Sequence, residues 1–308
     1  MTASPLTSKH ADIALLTDRR YTASQAHEDD WYLRNILRDD ALLQQALEDA
    51  GLSSVRVDWA DPDVDWSGFR CAVFRTTWDY FERLPEFTGW LDRASTQTRL
   101  CNDPRIIRWN LDKHYLADLT DKGIPVVPTR FIEAKSTVDL PRLLEENGWQ
   151  EAVIKPCISG GAWHTYRISK SNAATLQTVI QPLLSDGSFL IQPFLADIQK
   201  TGEDTLVIID GRFTHAVRKV AKEGDFRVQD DHGGTVHPLR PTSDQIELAE
   251  RTMAACPGNP VYGRVDMVRD DDGQWSVMEL ELIEPELWLR HHPEAASIFG
   301  NALARMLR

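Results

Sequence analysis

Apolar runs alternate with helical stripes along the first hundred residues. The run Asp12–Thr17 predicts a buried strand, and the runs Val55–Val57 and Cys71–Phe74 predict two more strands. Between the first two, a helix is predicted to begin at the Asp39-Asp40 pair and to end at Gly51, because apolar residues recur at i, i+3, i+4 and i+7: Leu43, Ala46, Leu47 and Ala50. Strands that alternate with helices indicate a parallel sheet.

The pattern changes twice along the chain. At Asn102–Pro104 a cationic, tryptophan-bearing helix begins, which we expect to run to Gly123. A compact α+β pattern follows, with elements predicted over 126–131, 138–147, 151–155, 172–184 and 189–194. We therefore predict an N-terminal α/β domain over residues 1–102, a small central α+β domain over 103–194 and a C-terminal α+β domain over 195–308.

Two hairpins are predicted in the C-terminal segment, since an Asp-Gly pair between apolar runs is a strong hairpin signal. One pair is Asp210-Gly211 and the other is Asp272-Gly273. Between them, Thr242–Gln245 has the pattern of a capping box and predicts the start of a helix. A last helix is expected over Glu294–Leu307.

Composition and charge restrict the partners. The 308 residues carry a formal net charge of −13, so neither nucleic acid nor an anionic membrane is an expected partner, although a small anion is. No stretch of about 18 apolar residues exists, and Met1–His10 lacks the apolar core of a secretory signal. The four cysteines form no C-x-x-C pair. We expect reduced thiols and a cytoplasmic protein; the oligomeric state stays open, and a homodimer is compatible with the sequence.

The hairpin at Asp272-Gly273 carries the clearest chemistry. A two-residue turn places Asp266 opposite Glu279, with Glu281 on the same face. Opposed carboxylates destabilise a sheet unless a cation neutralises them, and Mg²⁺ takes carboxylate oxygens together with water and phosphate oxygens. The alternative is a solvated face on which Arg264 and other basic groups relieve the charge.

The hairpin at Asp210-Gly211 is less specific. The same two-residue turn places Glu203 opposite Arg218, which an ordinary cross-strand ion pair explains. The segment 218–234 that follows combines four basic residues with three glycines and suits a loop that closes over an anion. A plain mobile loop is the alternative.

Two further sites are candidates. Lys155 ends a predicted strand, and the turn Ser159–Ala162 contains two glycines that let backbone N–H groups approach a phosphate, although such turns are also common without a ligand. No P-loop motif and no G-x-G-x-x-G motif occurs. At the end of the third strand, Arg75 is a candidate for a substrate carboxylate and Asp79 for a substrate amine. Alternatively, this stretch forms only the rim of a domain interface.

Taken in chain order, seven short motifs resemble the ATP-grasp ligase superfamily. They are WNLDK (109–113), VIKP with SGGA (153–162), IQPF (191–194), GE with LVIIDGRFTHAVRK (202–219), GDFR with HGG (224–234), RVDMV (264–268) and MELE (278–281). The resemblance implies an ATP-grasp fold in which a Rossmann-like N-terminal domain precedes two α+β domains with ATP between them. It therefore also implies ATP and Mg²⁺ as cofactors.

The resemblance implies a role for each matching residue. Lys113 and Lys155 would contact ATP, Ser159, Gly160, Gly161 and Ala162 would form a glycine-rich flap, Gln192, Pro193 and Phe194 would line the adenine, and Glu203 would bind the ribose. Arg218 and Arg227 would face the transferred phosphoryl group, and Asp266, Glu279 and Glu281 would hold Mg²⁺. Many relatives have Asn followed by Pro-Gly where this chain has Glu281 and then Leu-Ile-Glu-Pro, so acceptor contacts cannot be transferred.

The implied activity is a ligase reaction. A substrate carboxylate would be activated by ATP as an acyl phosphate and attacked by an amine, with ADP and phosphate released and an amino acid or short peptide as substrate. The motifs RTTWDY (75–80) and MELELIEP (278–285) resemble a subgroup that includes cycloserine-forming cyclo-ligases. An intramolecular cyclo-ligase is thus an alternative, and a non-catalytic nucleotide-binding regulatory protein is another.

Overall fold

The computed structural model describes residues 11–222, 224–225, 227–228, 233–270 and 272–308. Residues 1–10, which were expected to carry no secretory signal, lie outside this description, as does part of the predicted anion-covering segment 218–234. Among the described residues, none of the helices combines the length and the apolar composition that a bilayer crossing requires. All four cysteines are buried and free.

The N-terminal segment forms the predicted parallel sheet, in the order β2-β1-β3-β4. Its elements are β1 (Ile13–Thr17), α1 (Trp31–Asp49), β2 (Ser54–Asp58), β3 (Cys71–Thr76), α2 (Leu84–Gln97) and β4 (Arg99–Cys101). The predicted start of α1 is wrong, because Asp30 is the N-cap and accepts a hydrogen bond from Leu33 N at 2.9 Å. Asp39 and Asp40 instead lie buried inside the helix, paired with arginines.

The central segment forms an antiparallel sheet in the order β5-β8-β6-β7. Its strands are β5 (Arg130–Ile132), β6 (Glu151–Pro156), β7 (Tyr166–Ser169) and β8 (Phe189–Pro193), and its helices are α3 (Pro104–Asn110), α4 (Tyr115–Asp121), α5 (Leu140–Glu146) and α6 (Ala173–Leu183). The single helix predicted up to Gly123 is therefore two helices. Asp112 accepts the backbone N–H of His114 at 3.0 Å in the turn between them, and this turn carries Lys113.

The C-terminal segment forms a second antiparallel sheet, in the order β11-β10-β9-β12-β13. Its elements are α7 (Ala196–Thr201), β9 (Glu203–Ile209), β10 (Arg212–Val220), β11 (Thr235–Leu239), α8 (Ser243–Ala254), β12 (Tyr262–Arg269), β13 (Trp275–Glu281) and α9 (Glu294–Met306). The capping box predicted at the start of α8 is present between Thr242 and Gln245. The three sheets fall within the three predicted segments, while the division into domains stays a prediction.

The hydrophobic cores cross those boundaries. The C-terminal helix α9 packs against α1, and Phe299 of α9 shares a core with Ile13 and Leu47 of the N-terminal segment. Gly300 permits this approach, because a Cβ there would lie 2.8 Å from the backbone oxygen of Ala46. Helices α3 and α4 likewise share a core with the C-terminal sheet. The sheets therefore hold one another in place through helices contributed by distant parts of the chain.

Both hairpins contain a register shift that the sequence does not predict. In the β12–β13 hairpin, Arg269 pairs with Trp275, so the turn is longer than two residues, and a shift beside Met267 then restores the predicted pairing of Asp266 with Glu279. That pairing is confirmed, although the turn length behind it was wrong. In the β9–β10 hairpin, a shift between Phe213 and His215 displaces the far end by one position.

The second shift corrects one prediction. Glu203 pairs with Lys219, and Arg218 pairs with Asp204 instead. The turn at Asp210-Gly211 does bring Arg212 opposite Ile209 as predicted. The bulge shifts the pairing by one residue, so that Lys219 and not Arg218 lies opposite Glu203. Because side chains alternate between the two faces of a strand, Lys219 also shares the face of Glu203.

Candidate active site

A cavity of about 650 Å³ opens where the three sheets meet. Its lining includes fourteen of the predicted site residues, drawn from the central and C-terminal segments: Lys113, Lys155, Ser159, Gly160, Gly161, Ala162, Gln192, Pro193, Phe194, Glu203, Arg227, Asp266, Glu279 and Glu281. Tyrosine and tryptophan side chains of the N-terminal segment cover another part of the wall. A volume of this size is typical of a small-molecule site.

Acidic and basic groups face each other at the floor of the cavity. Glu279 contacts Lys155 at 2.9 Å and Lys113 at 3.2 Å through different carboxylate oxygens. Asp266 contacts both Lys219 and Arg264 at 2.8 Å. Four cationic side chains thus surround the predicted carboxylates, and Arg264 relieves their charge as the alternative interpretation of this face required.

The cations control the protonation of the floor. Burial pushes the pKa of Glu279 upward, but the nearby Lys113 and Lys155 outweigh it and lower the pKa to about 2. Burial opposes ionisation of Asp266 as well, and Arg264 and Lys219 reverse the effect, so its pKa is also lowered. Both carboxylates are therefore charged at neutral pH and available as ligands of a cation.

Two other acids behave differently. Burial raises the pKa of Glu203 to about 7, although Lys219 favours the charged form. Burial and the charge of Glu281 raise the pKa of Glu284 well above its ordinary value. The lining of the cavity therefore contains carboxyl groups that are ionised at neutral pH and others that hold a proton more readily.

The donor set fits Mg²⁺ by its chemistry. Asp266, Glu279 and Glu281 supply carboxylate oxygens, the ligand type that Mg²⁺ takes, and they extend from neighbouring antiparallel strands. In the described part of the chain their oxygens do not all lie within 4.8 Å of one another. Ammonium and guanidinium groups hold them instead, and the same cations are suited to phosphate oxygens.

The predicted flap lies at the mouth of the cavity. Gly161 and Ala162 have positive φ angles of 55° and 56°, which glycine adopts without strain and alanine does not. Lys113 Nζ donates to the backbone oxygen of Ser159 at 2.8 Å and ties the flap to the floor. A Cβ at Gly160 would lie 2.8 Å from the ring of Phe81, so the flap touches the N-terminal segment closely.

Three consecutive predicted residues lie at the end of β8. Gln192 is 2% exposed and donates to Thr129 Oγ1 at 3.0 Å. The ring of Phe194 is covered by the guanidinium of Arg167 at 3.7 Å. Apolar side chains of Val153 and Met278 line the same cavity. An apolar wall with one fixed amide is chemically suited to a heterocyclic base.

Of the two arginines predicted to face the phosphoryl group, only Arg227 lines the cavity, where it contacts Asp225 at 2.7 Å. Arg218 does not line it and forms a two-pronged pair with Asp204 at 2.6 and 2.9 Å. The register shift in the β9–β10 hairpin accounts for this difference, because it turns Lys219 toward the floor in its place.

The predicted substrate contacts Arg75 and Asp79 also lie outside the lining of this cavity. Arg75 is buried and pairs with Asp40 at 3.0 Å. Asp79 accepts hydrogen bonds from Trp59 Nε1 at 2.7 Å and from Arg83 at 2.8 Å. Both carboxylate oxygens of Asp79 thus have partners within the N-terminal segment, whereas the buried Nη1 of Arg75 has no hydrogen-bond partner among the described residues. Neither residue reaches this cavity, and their role as substrate contacts stays a prediction. Trp78 does line the cavity.

Several lining residues were missed by the sequence reasoning. Arg20, Tyr21 and Tyr32 of the N-terminal segment and Glu286 and Trp288 after β13 form the wall beyond the floor. They stand in loops and on a helix face without a motif, so no local signal marks them. Trp288 alone carries a structural sign, a positive φ of 46°.

Comparison with known proteins identifies relatives of both halves of the chain. The family described as D-cycloserine synthetase DcsG, N-terminal domain, matches residues 13–102. The family described as prokaryotic glutathione synthetase, ATP-grasp domain, matches residues 123–256. A glutathione synthetase of Agrobacterium fabrum is 26% identical over 53% of this chain and 49% of that protein, so the chain spans about half its length.

Two comparisons cover almost the whole chain. The cycloserine biosynthesis protein DcsG of Streptomyces lavendulae is 35% identical over 286 residues, which are 86% of this chain and 93% of that protein. The crystal structure of D-cycloserine synthetase DcsG matches with a TM-score of 0.84 at 32% identity, covering 96% of this chain and 99% of that one. A D-alanine–D-alanine ligase of Bacillus anthracis has a TM-score of 0.67 at 14% identity and shows the fold alone.

The predicted resemblance and fold class are therefore confirmed. The motifs, the cavity between the sheets and a relative that matches along nearly its full length agree, and the chain belongs to the ATP-grasp superfamily of ATP-dependent ligases that form C–N bonds, in the family of the DcsG proteins.

Proposed function

We propose that the protein is an intramolecular cyclo-ligase, in which one amino acid supplies both the carboxylate and the attacking nitrogen. The likeness to a D-cycloserine synthetase over 96% of the chain carries this proposal. It extends to the N-terminal segment, which supplies Tyr21, Tyr32 and Trp78 to the wall beyond the floor. The sequence had favoured a ligase that joins two molecules, and that reaction is the competing proposal.

The proposed reaction has two steps. A carboxylate oxygen of the substrate attacks the γ-phosphorus of ATP, the bond from that phosphorus to the β–γ bridging oxygen breaks, and ADP leaves with an acyl phosphate formed. A second, uncharged nitrogen of the same molecule then attacks the acyl carbon, the carbon–oxygen bond to phosphate breaks, and a proton is lost from that nitrogen as the ring closes. No nucleophile from the protein is required.

The residues of the floor meet the needs of the first step. Negative charge accumulates on the transferring oxygens, and Lys113, Lys155 and Arg227 supply fixed positive charge at the cavity wall. Asp266, Glu279 and Glu281 would hold Mg²⁺, which neutralises phosphate charge when bound. Ser159–Ala162 would cover the phosphates with backbone N–H groups and exclude water from the acyl phosphate.

The second step needs only a positioned substrate. Beyond the floor the wall combines the aromatic Tyr21 and Trp78 with the carboxyl groups of Glu284 and Glu286. Burial favours the uncharged form of Glu284, so the ammonium-attracting groups here are the carboxylate of Glu286, which Arg290 also contacts at 2.6 Å, and the aromatic faces. Together they would hold the amino end of a small substrate. Holding both ends of one molecule in a closed cavity favours attack within that molecule.

Product analysis tests the proposal. Amino acids that carry a second nitrogen nucleophile are incubated singly with ATP and Mg²⁺, and ADP release and product mass are followed. We expect ADP release from a single compound and a product lighter than it by one water. A product whose mass joins two substrates would establish the two-molecule ligase, and ATP binding without ADP release would establish a regulatory protein.

A pair of variants ties the chemistry to the floor. Glu279→Gln should abolish ADP release, because it removes a charged carboxylate that contacts two lysines. Asp272→Asn changes an exposed carboxylate in the turn of the same hairpin and should leave the rate unchanged. Equal rates in both variants would remove Glu279 from the site.

A further inference from the structure

A second cluster of ligating side chains lies apart from the floor of the cavity. Asp112, His114 and Cys157 each offer one ligand atom, and these atoms lie within 4.8 Å of one another. Cys157 is buried, with 1% of its surface exposed, whereas the side chains of Asp112 and His114 are 42% and 36% exposed. The ligase reaction uses none of these three residues.

The imidazole is held in a fixed orientation. Nδ1 of His114 lies 2.5 Å from Oδ1 of Asp112, and Nε2 lies 3.3 Å from Oε1 of Glu133. The ring stacks on Phe131 with a centroid distance of 4.2 Å. A carboxylate beside the remote nitrogen is the usual arrangement behind a histidine that binds a metal, because it fixes the ring and its tautomer.

We propose that Asp112, His114 and Cys157 bind a thiophilic divalent cation of the zinc class, with Glu133 as the outer partner of the histidine. Thiolate, imidazole and carboxylate are together the ligands of zinc, whereas Mg²⁺ takes oxygen ligands only. Tetrahedral zinc holds such atoms about 3.3 to 3.8 Å apart, so shifts of about 1 Å complete the site. One thiolate and one carboxylate balance the charge of the ion.

A catalytic Cys-His-Asp group would need the same residue types, but the geometry opposes it. The thiol of Cys157 is shielded from solvent, and burial together with the charge of Asp112 raises its pKa. Such a thiol is a poor nucleophile, whereas a bound metal displaces its proton directly. The cluster is therefore suited to a cation and not to covalent catalysis.

The position of the cluster gives the cation a structural consequence. Asp112 and His114 flank Lys113 in the turn between α3 and α4, and Cys157 follows Lys155 by two residues. The backbone N–H of Lys113 donates to the oxygen of Cys157 at 2.9 Å. A cation bound here would tie together the two backbone segments that carry both lysines of the floor.

Calorimetry with zinc alone tests the site. The full chain is treated with a chelator, dialysed and titrated with Zn²⁺ in the presence of millimolar Mg²⁺. We expect one Zn²⁺ per chain, with binding weakened at least tenfold in Cys157→Ser, His114→Gln and Asp112→Asn. Asp112→Asn keeps an oxygen for the turn, so it is the variant expected to fold normally if Cys157→Ser does not.

Two controls separate this site from others. Cys256→Ser changes a buried cysteine outside the cluster and should keep full zinc binding. Glu279→Gln should keep full zinc binding as well. Loss of zinc binding in that variant would mean that zinc binds at the acidic floor instead. Co²⁺ gives a second readout, a thiolate-to-metal absorption band that Cys157→Ser removes. Absence of stoichiometric binding, or full binding in Asp112→Asn and His114→Gln, would overturn the proposal.

Discussion

Asn110 supports the edge of β13, the strand that carries Glu279 and Glu281, and its removal should be costly. β13 is an edge strand of the C-terminal sheet. Asn110 Nδ2 donates to the backbone oxygen of Leu280 at 2.8 Å, and its Oδ1 accepts from Leu282 N at 2.8 Å. These two bonds bracket Glu281, so the amide acts as a neighbouring strand would and fixes the direction of that carboxylate.

The expected effect of Asn110→Ala follows from those two bonds. Both backbone groups are buried, and each one left unpaired costs about 1 to 3 kcal/mol, so the free energy of unfolding should fall by about 2 to 6 kcal/mol. At a urea slope of about 3 kcal/mol per M, the unfolding midpoint should fall by about 0.7 to 2 M. ADP release should also decrease, because Glu281 loses its support.

The measurement is a urea titration of Asn110→Ala and of a matched control variant, Asn301→Ala. Asn301 donates to Ser297 O at 2.8 Å on an exposed helix face, so Asn301→Ala should change the free energy of unfolding by about 0.5 kcal/mol or less. If Asn110→Ala unfolded at the same urea concentration as Asn301→Ala, the proposed support of β13 would be refuted.

Three other changes have defined outcomes. Lys155→Met should lower the rate of ADP release at least about 100-fold, because it removes a cation of the floor, whereas a change at the exposed Lys170, Lys170→Met, should leave the rate unchanged. A coupled assay for ADP compares the two variants, and equal rates would exclude a role of Lys155 in the reaction. Burial raises the pKa of Glu203 to about 7 from an ordinary 4.5, so the folded protein binds that proton more tightly than the unfolded chain, and this stabilisation is lost as the pH rises from about 4.5 through 7. Over that pH range the melting temperature of Glu203→Gln should fall less than that of the unchanged protein, and an equal fall in both proteins would contradict the assignment. Gly160→Ala should lower kcat/KM about tenfold, because the new methyl would lie 2.8 Å from the Phe81 ring; Phe81→Leu in the same chain should restore part of the rate, and no restoration would place the clash elsewhere.

Much of the fold could be predicted because it depends on short-range chemistry. Turn residues such as Asp210-Gly211 and the capping box at Thr242 act within a few positions, and both are present. The facing of Asp266 and Glu279 was predicted correctly only because a longer turn and a register shift, neither of which the sequence predicts, compensate each other. Bulges have no strong sequence signal, so the same reasoning failed for Glu203 and Arg218.

Local patterns did not reveal which partners satisfy a buried charge. Arg75 and Asp79 have the chemistry of substrate contacts and the position at a strand end, yet Asp40 pairs with one and Trp59 with the other. Asp40 comes from α1, and its role depends on how that helix packs on the sheet. The sequence contains every one of these residues but not their distances.

The sequence by itself determined most of the strands and helices, the parallel sheet of the N-terminal segment, the two hairpins and the order of the ligase motifs, because periodicity, turns and motif residues act along the chain. The tertiary structure decided that Lys155 meets Glu279 across 124 positions, that α9 packs on α1, and which aromatic side chains enclose the cavity. Such contacts depend on the packing of whole elements, whose shifts and crossings arise from the summed fit of many side chains and not from any local pattern.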